Sequence, residues 1–278
     1  MRFRDILSFV AGRADEHVIS LAEQLAEQNS AYVSTLVANW RPSATAAVDP
    51  WTIGPAWSEL VAGAERHLGI AVAEVQARLE RNQDVQKPES MLIELGRARM
   101  TVGSRARHAD IAIVGRPTKA DAEGAHALVE GALFYSGRPV LVAPPEWKRR
   151  QIGRRILVCW KPTREAARAL GDADDFLVNA SKVTVATVDA RPSEYGYGPV
   201  PGADIAAHLA RRGVTVDVAN LDSLGRDETP AILDQALALD ADLIVMGGYG
   251  HSRVGEFIFG GVTRDMLKTS TVPLLLAH

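Results

Sequence analysis

The sequence is most restrictive in what it lacks. Its 278 residues contain one cysteine, Cys159, so neither an intramolecular disulfide nor a cysteine-built zinc cluster is available. That scarcity points to a reducing compartment. No window reaches eighteen apolar residues, the length a membrane-spanning helix needs. The N-terminal stretch MRFRDILSFVAG is too short in its apolar run for a signal peptide and is interrupted by Asp5, so a cytoplasmic protein is expected. Charge of one sign is missing too: 31 Lys and Arg against 34 Asp and Glu leave a net charge of -3, which offers no field for nucleic acid.

Several catalytic signatures are also absent. The histidines, at positions 17, 67, 108, 126, 208, 251 and 278, include no i,i+4 pair, and there is no H-E-x-x-H, so no metal site is expected. No G-x-x-x-x-G-K-[ST] loop occurs, which argues against a Walker-type ATPase. The stretch Gly250-His251-Ser252-Arg253-Val254-Gly255 follows an apolar run as a nucleophile elbow would. Val254 stands where the sharp turn needs glycine, and the esterase reading fails there. No catalytic residue is nominated.

What is present is a globular composition, 47% hydrophobic and 23% charged, on a chain long enough for two domains. The chain repeats itself. RDILSFVA is echoed by RRILVCWK from Arg154, ADIAIVGRP from Ala109 by ADLIVMGGY from Ala241, and GRPVLVAPP by STVPLLLAH at the end. The offsets are 150, 132 and 134, so the first copy carries about eighteen extra residues, around Arg41–Glu65 with Trp51 and Trp57. A loop or helix extension packed by its apolar residues accounts for them. A tandem duplication follows, with domains at residues 1–146 and 153–278 joined by the basic linker around EWKRRQIGRR.

Each copy alternates strand and helix. In the second, strands are expected at Ile156–Trp160, Lys182–Val188, Val214–Val218, Leu243–Met246 and Val272–Leu276. Helices are expected at Glu165–Leu177, at Ala203–Arg212 stopped by Gly213, after an N-cap at Thr229, and over Val262–Thr269. The first copy places strands at Ile6–Val10, Ala31–Val37, Met91–Leu95, Ile111–Val114 and Val140–Val142. Continuous apolar runs rather than alternation imply an α/β fold with a parallel sheet covered on both faces.

Ligands of such sheets gather at the carboxyl ends of strands where the strand order reverses. There the sequence places Gly247 and Gly250 after one strand, then Gly260 and Gly261 before a helix. Bare backbone and a helix amino end suit an anion, although turns and caps want the same glycines. In the first copy RPTKADAEGAHALVEG replaces the second glycine, and the later pair becomes His126-Ala127, so this half is expected to have lost such a site. Asp189, Asp222 and Asp227 lie near strand ends, where they suit a ribose, magnesium or plain solvation.

The spacing Gly247-x2-Gly250-x9-Gly260, between ADLIVMG and TVPLLL and with ILV and REAARAL upstream, resembles the C-terminal signature of the universal stress protein family. The resemblance covers most of the second half and, more weakly, the first. It implies two tandem domains, each a five-stranded parallel sheet in the order 3-2-1-4-5. Some members bind ATP between the ends of the first and fourth strands and others do not. By position the implied nucleotide-binding residues are Cys159, Trp160, Lys161, Val188, Met246, Gly247, Gly250, Gly260, Gly261, Val262 and Thr263.

Two positions depart from the binders' pattern. Lys161 stands where an acid is expected, and Gly261 where a phosphate-contacting hydroxyl is expected. Losing that hydroxyl costs about 1.5–3 kcal/mol, or about ten- to a hundredfold in affinity. Thr263 offers another hydroxyl, or caps its own helix. The expected function is a stress-response protein that holds ATP (or AMP or ADP), with Mg2+ possible alongside it, as a regulatory ligand in its second domain. The alternatives are an interaction module that binds no nucleotide and a slow ATPase. Fifth strands Val140–Val142 and Val272–Leu276 are expected to pair within the molecule, as the family's domains pair in dimers, and a homodimer is a further option.

Overall fold

The computed structural model describes residues 3–11, 15–42, 53–81, 87–118, 122–148, 151–193, 196–249 and 261–278. The chain divides into two compact units, Arg4–Gly137 and Arg138–His278, the latter also taking in Met1–Phe3.

The first unit runs β1 (Asp5–Ala11), α1 (Glu16–Asn29), β2 (Tyr32–Arg41), α2 (Ile53–Arg81), β3 (Glu89–Glu94), α3 (Ala98–Ala106), β4 (Ile111–Gly115) and α4 (Ala122–Tyr135). Its strands pair in parallel in the order β3-β2-β1-β4. Ile6, Phe9, Val10 and Ile111 to Val114 are wholly buried, as their unbroken apolar runs demand of a two-sided sheet. Much of the extra sequence of this half is the long helix α2. Ala71, Val75 and Leu79 on α2 pack against Val10, Ile19 and Val37, and Arg78 binds Ser20 and Glu23 of α1 at 3.0 and 2.9 Å. Trp57 lies half-buried on α2, whereas Trp51 falls outside the described residues.

The second unit runs β5 (Val140–Ala143), β6 (Arg155–Cys159), α5 (Arg164–Asp172), α6 (Asp174–Asn179), β7 (Lys182–Val188), α7 (Ala203–Arg211), β8 (Val216–Leu221), α8 (Glu228–Ala238), β9 (Leu243–Gly247), α9 (Gly261–Thr269) and β10 (Leu274–Ala277). Parallel pairing in the order β8-β7-β6-β9-β10 reproduces 3-2-1-4-5. Beyond β10 comes β5, antiparallel, with Val142, Leu141 and Val140 opposite Leu274, Leu275 and Leu276. This is the expected fifth-strand pairing. It also corrects the strand count: by contacts the two units hold four and six strands rather than five each, because β5 is buried at all four residues and covers the edge of β10.

Both units are closed at the foot of the sheet by the same device. Asp242, just before β9, accepts backbone N–H bonds from Gly153, Arg154 and Arg155, each at 3.0 Å. Asp110, just before β4, accepts those of Arg4 and Asp5 at 2.8 and 3.1 Å. The repeated Ala-Asp dipeptide therefore knots the fourth strand to the first in each copy.

Local expectations need three corrections. The helix expected over Glu165–Leu177 is two, α5 and α6, hinged at Ala173. Helix α8 begins at Glu228 with Asp227 as N-cap, so Thr229 is inside the helix and buried. Pro230 still falls in the first turn, where its missing N–H costs nothing. Strand β8 starts later than expected because Gly213, at φ +84°, and Val214 close α7 instead, their N–H groups binding the Ala210 and Leu209 carbonyls.

Candidate functional site

Strand β6 lies between β7 and β9, and the chain leaves it on one side and returns on the other, which makes its carboxyl end the switch point of the sheet. A cavity of about 560 Å³ opens there. Its floor is the ends of three strands: Cys159 to Lys161 after β6, Ala186 with Val188 and Asp189 at β7, and Met246 with Gly247 at β9. Its walls are the first turns of α5, α8 and α9, together with Tyr197 from the loop after β7.

Of the eleven residues singled out from sequence, Cys159, Trp160, Lys161, Val188, Met246, Gly247, Gly261, Val262 and Thr263 all line this cavity. Gly250 and Gly260 lie outside the described residues, as do His251, Ser252 and Arg253. Asp189 lines the cavity, whereas Asp222 uses its carboxylate on the N–H of Leu224 at 2.7 Å and Asp227 serves as the N-cap of α8. Among the described residues no group of acids, histidines or cysteine is placed to hold a metal ion.

The two glycines of this wall have different physical roles. A Cβ on Gly247 would lie 2.6 and 2.7 Å from the backbone of Ala166 and Glu165, so the end of β9 packs directly on the first turn of α5. That close approach is architectural. A Cβ on Gly261 would meet nothing within 4 Å, so the start of α9 presents open backbone to the cavity. The hydroxyl of Thr263 is buried and accepts the N–H of Tyr249 at 3.3 Å. It ties the loop after β9 to α9, a use that neither sequence-based option named.

The electrostatics of the cavity are mixed. The Cys159 thiol is pushed up to about 12, first by burial and then by the charge of Glu228, so it stays protonated and acts as a small apolar group. Burial and the same carboxylate raise the Tyr197 phenol, which is neutral. Burial works against an ionised Glu165, but hydrogen bonds from the Arg164 guanidinium, its own N–H and the Thr163 hydroxyl bring it below the usual carboxylate range. Asp189 is held low by the side chain and N–H of Ser223. Lys161 and Trp160 complete the rim, the lysine exposed and the indole half-buried.

Sequence reasoning missed Thr163, Glu165, Tyr197, Glu228 and Ile232. Thr163 carried a signal, because it is an N-cap whose Oγ1 accepts the Ala166 N–H at 3.3 Å. The others come from helix starts and a loop far away in sequence, and no local pattern places them on one cavity.

Residues 153–278 match the model of the universal stress protein family. No curated protein sequence matches the chain. Among solved structures, a universal stress protein from Archaeoglobus fulgidus DSM 4304 is similar over 98% of this chain and 95% of its own, at 16% identity and a TM-score of 0.58. A putative universal stress protein from Pseudomonas aeruginosa UCBPP-PA14 is similar over 99% and 93%, at 14% identity and a TM-score of 0.56. A functionally unknown protein from Pseudomonas aeruginosa PAO1 is similar over 99% and 92%, at 14% identity and a TM-score of 0.57. At such identities the structural likeness establishes the α/β fold. The cavity and the family match coincide on the same stretch of chain: residues 153–278 form a domain of the universal stress protein family.

Proposed function

We propose that the protein is a tandem, cytoplasmic stress-response protein whose second domain, residues 153–278, binds an adenine nucleotide as a regulatory ligand. The first domain, residues 1–146, serves as scaffold and pairing surface. One observation carries the reading. Nine residues named for nucleotide binding from four separate segments meet on one cavity of about 560 Å³, at the switch point of the sheet and within the usual size range of small-molecule sites. The anionic end of the ligand belongs at the start of α9, where a Cβ on Gly261 would meet nothing within 4 Å and no acid occupies the first turn. Mg2+ would accompany a polyphosphate there. No catalytic base is assigned, and the reading is one of binding.

The rival reading is an interaction module without nucleotide, in which the glycines are architectural. The packing of Gly247 on α5 favours it in part, because that glycine is explained without a ligand.

The test is direct. The purified protein is denatured and its supernatant chromatographed for adenine nucleotide, and melting is followed with and without millimolar ATP. Retained nucleotide or a raised melting temperature is expected; if no nucleotide is retained and ATP leaves the melting temperature unchanged, the reading falls. Gly261→Ser has room for its side chain and should tighten binding about tenfold or more by restoring a hydroxyl to a charged group.

A further inference from the structure

The cavity has two chemically opposite ends. The first turn of α9 carries no acid, while those of α5 and α8 carry Glu165 and Glu228, and both glutamates line the cavity. A nucleotide is equally two-ended, with phosphate anions at one end and hydrogen-bond donors on the sugar and base at the other. A carboxylate repels the first and accepts from the second.

Three carboxylates line the cavity, and two are committed. Glu165 binds Arg164 Nε at 2.5 Å within the start of α5. Asp189 accepts the N–H of Ser223 at 3.0 Å. Glu228 makes no hydrogen bond or ion pair among the described residues. It lines the same cavity as Cys159 at the end of β6 and Tyr197, and its charge raises both groups. The position after β6 that would otherwise supply an acid is Lys161.

We propose that Glu228 is the specificity-determining residue of this cavity. Its two carboxylate oxygens accept the two hydroxyls of a ribose, so that the site takes ribonucleotides and discriminates against nucleotides lacking the 2′,3′-diol. The inference rests on the nucleotide reading above. A vicinal diol presents two O–H donors side by side, which matches a carboxylate's pair of acceptors, whereas the exocyclic amine of adenine offers donors from one atom. The neutral Tyr197 phenol stands beside it as a donor to the sugar.

The experiment measures dissociation constants by calorimetry for ATP, 2′,3′-dideoxy-ATP and a purine ribonucleoside triphosphate lacking the 6-amino group, with the wild-type chain and with Glu228→Gln. Wild type should bind the dideoxy compound about ten- to a hundredfold more weakly than ATP. In Glu228→Gln that ratio should shrink to within about threefold, while the penalty for losing the 6-amino group is unchanged. A merely structural role at the start of α8 would weaken all three ligands alike. If Glu228→Gln keeps the wild-type ratio between ATP and its dideoxy analogue, or if only the 6-amino penalty disappears, the assignment is overturned. If wild type binds none of the three, the nucleotide reading itself falls, and this inference with it.

Discussion

The two halves of the chain share a plan and differ at the carboxyl ends of their strands. In the second half α9 starts at Gly261, and the space over β6, β7 and β9 is open. In the first half the position equivalent to Gly261 is Ala127, within α4, whose first described residue is Ala122. The first turn of α4 carries Gly124, whose missing Cβ leaves room for the Trp40 indole; a Cβ there would lie 2.3 Å from the ring. Trp40 packs with Ala38, Ile93, Ala98 and Ala127 into a local core. One copy thus spends its carboxyl end on a helical turn and an indole, and the other leaves a cavity with bare backbone. Apolar packing fills that place in the first unit, and the second has a cavity there.

The largest effect that tests this contrast comes from the foot of the sheet. Asp242→Ala strips a buried carboxylate from three backbone N–H groups, and each stranded donor costs about 1–3 kcal/mol, so a loss of at least about 3 kcal/mol is expected. Asp110→Ala affects two N–H groups in a half-buried setting and should cost about 1 kcal/mol. Urea denaturation of both variants measures the difference. Equal losses would mean that the two knots are energetically the same.

A smaller effect belongs to the strand-end glycines. Gly247→Ala drives a methyl into the backbone of α5 and should cost about 1–3 kcal/mol. Gly115→Ala meets the His17 Nε2 at 3.3 Å and Val18 Cγ2 at 3.5 Å, side-chain atoms that can yield, and should cost less than about 1 kcal/mol. Thermal melts of the two variants check the order, and a reversal would show that the first copy is the more tightly closed at this corner.

The smallest effect is a pH dependence. Burial raises Asp242, and its three N–H partners and Arg155 only partly offset that rise. Its folded state therefore favours the protonated form relative to the unfolded chain. The contribution is fully present below the unfolded carboxylate value of about 3.9 and is lost as pH rises through the raised folded value. In Asp242→Asn the fall in stability between the unfolded carboxylate value and the raised folded value should flatten, as denaturation at a series of pH values would show. An unchanged slope would assign it to other groups.

Much of the architecture was legible because its causes are local. Lys182–Val188 is a strand to the residue, Gly213 takes the left-handed conformation after α7, and the offset between the repeats is filled by α2. The cavity was legible in part, because the resemblance to the universal stress protein signature implied Cys159 to Lys161, Val188 and the glycines by position. Glu228 and Tyr197 were not, because their place depends on how α8 and the loop after β7 pack over β6.

The sequence by itself determined the repeat, the alternation of strand and helix, and the end of the sheet where a ligand could sit, since hydrophobic period and turn chemistry act over a few residues. Only the tertiary structure decided that Gly247 serves packing while Gly261 faces open space. It likewise decided that the Thr263 hydroxyl is taken by Tyr249 and that Glu228 joins the cavity. Each of those depends on a contact between segments distant along the chain, and such contacts are set by packing, which no local pattern encodes.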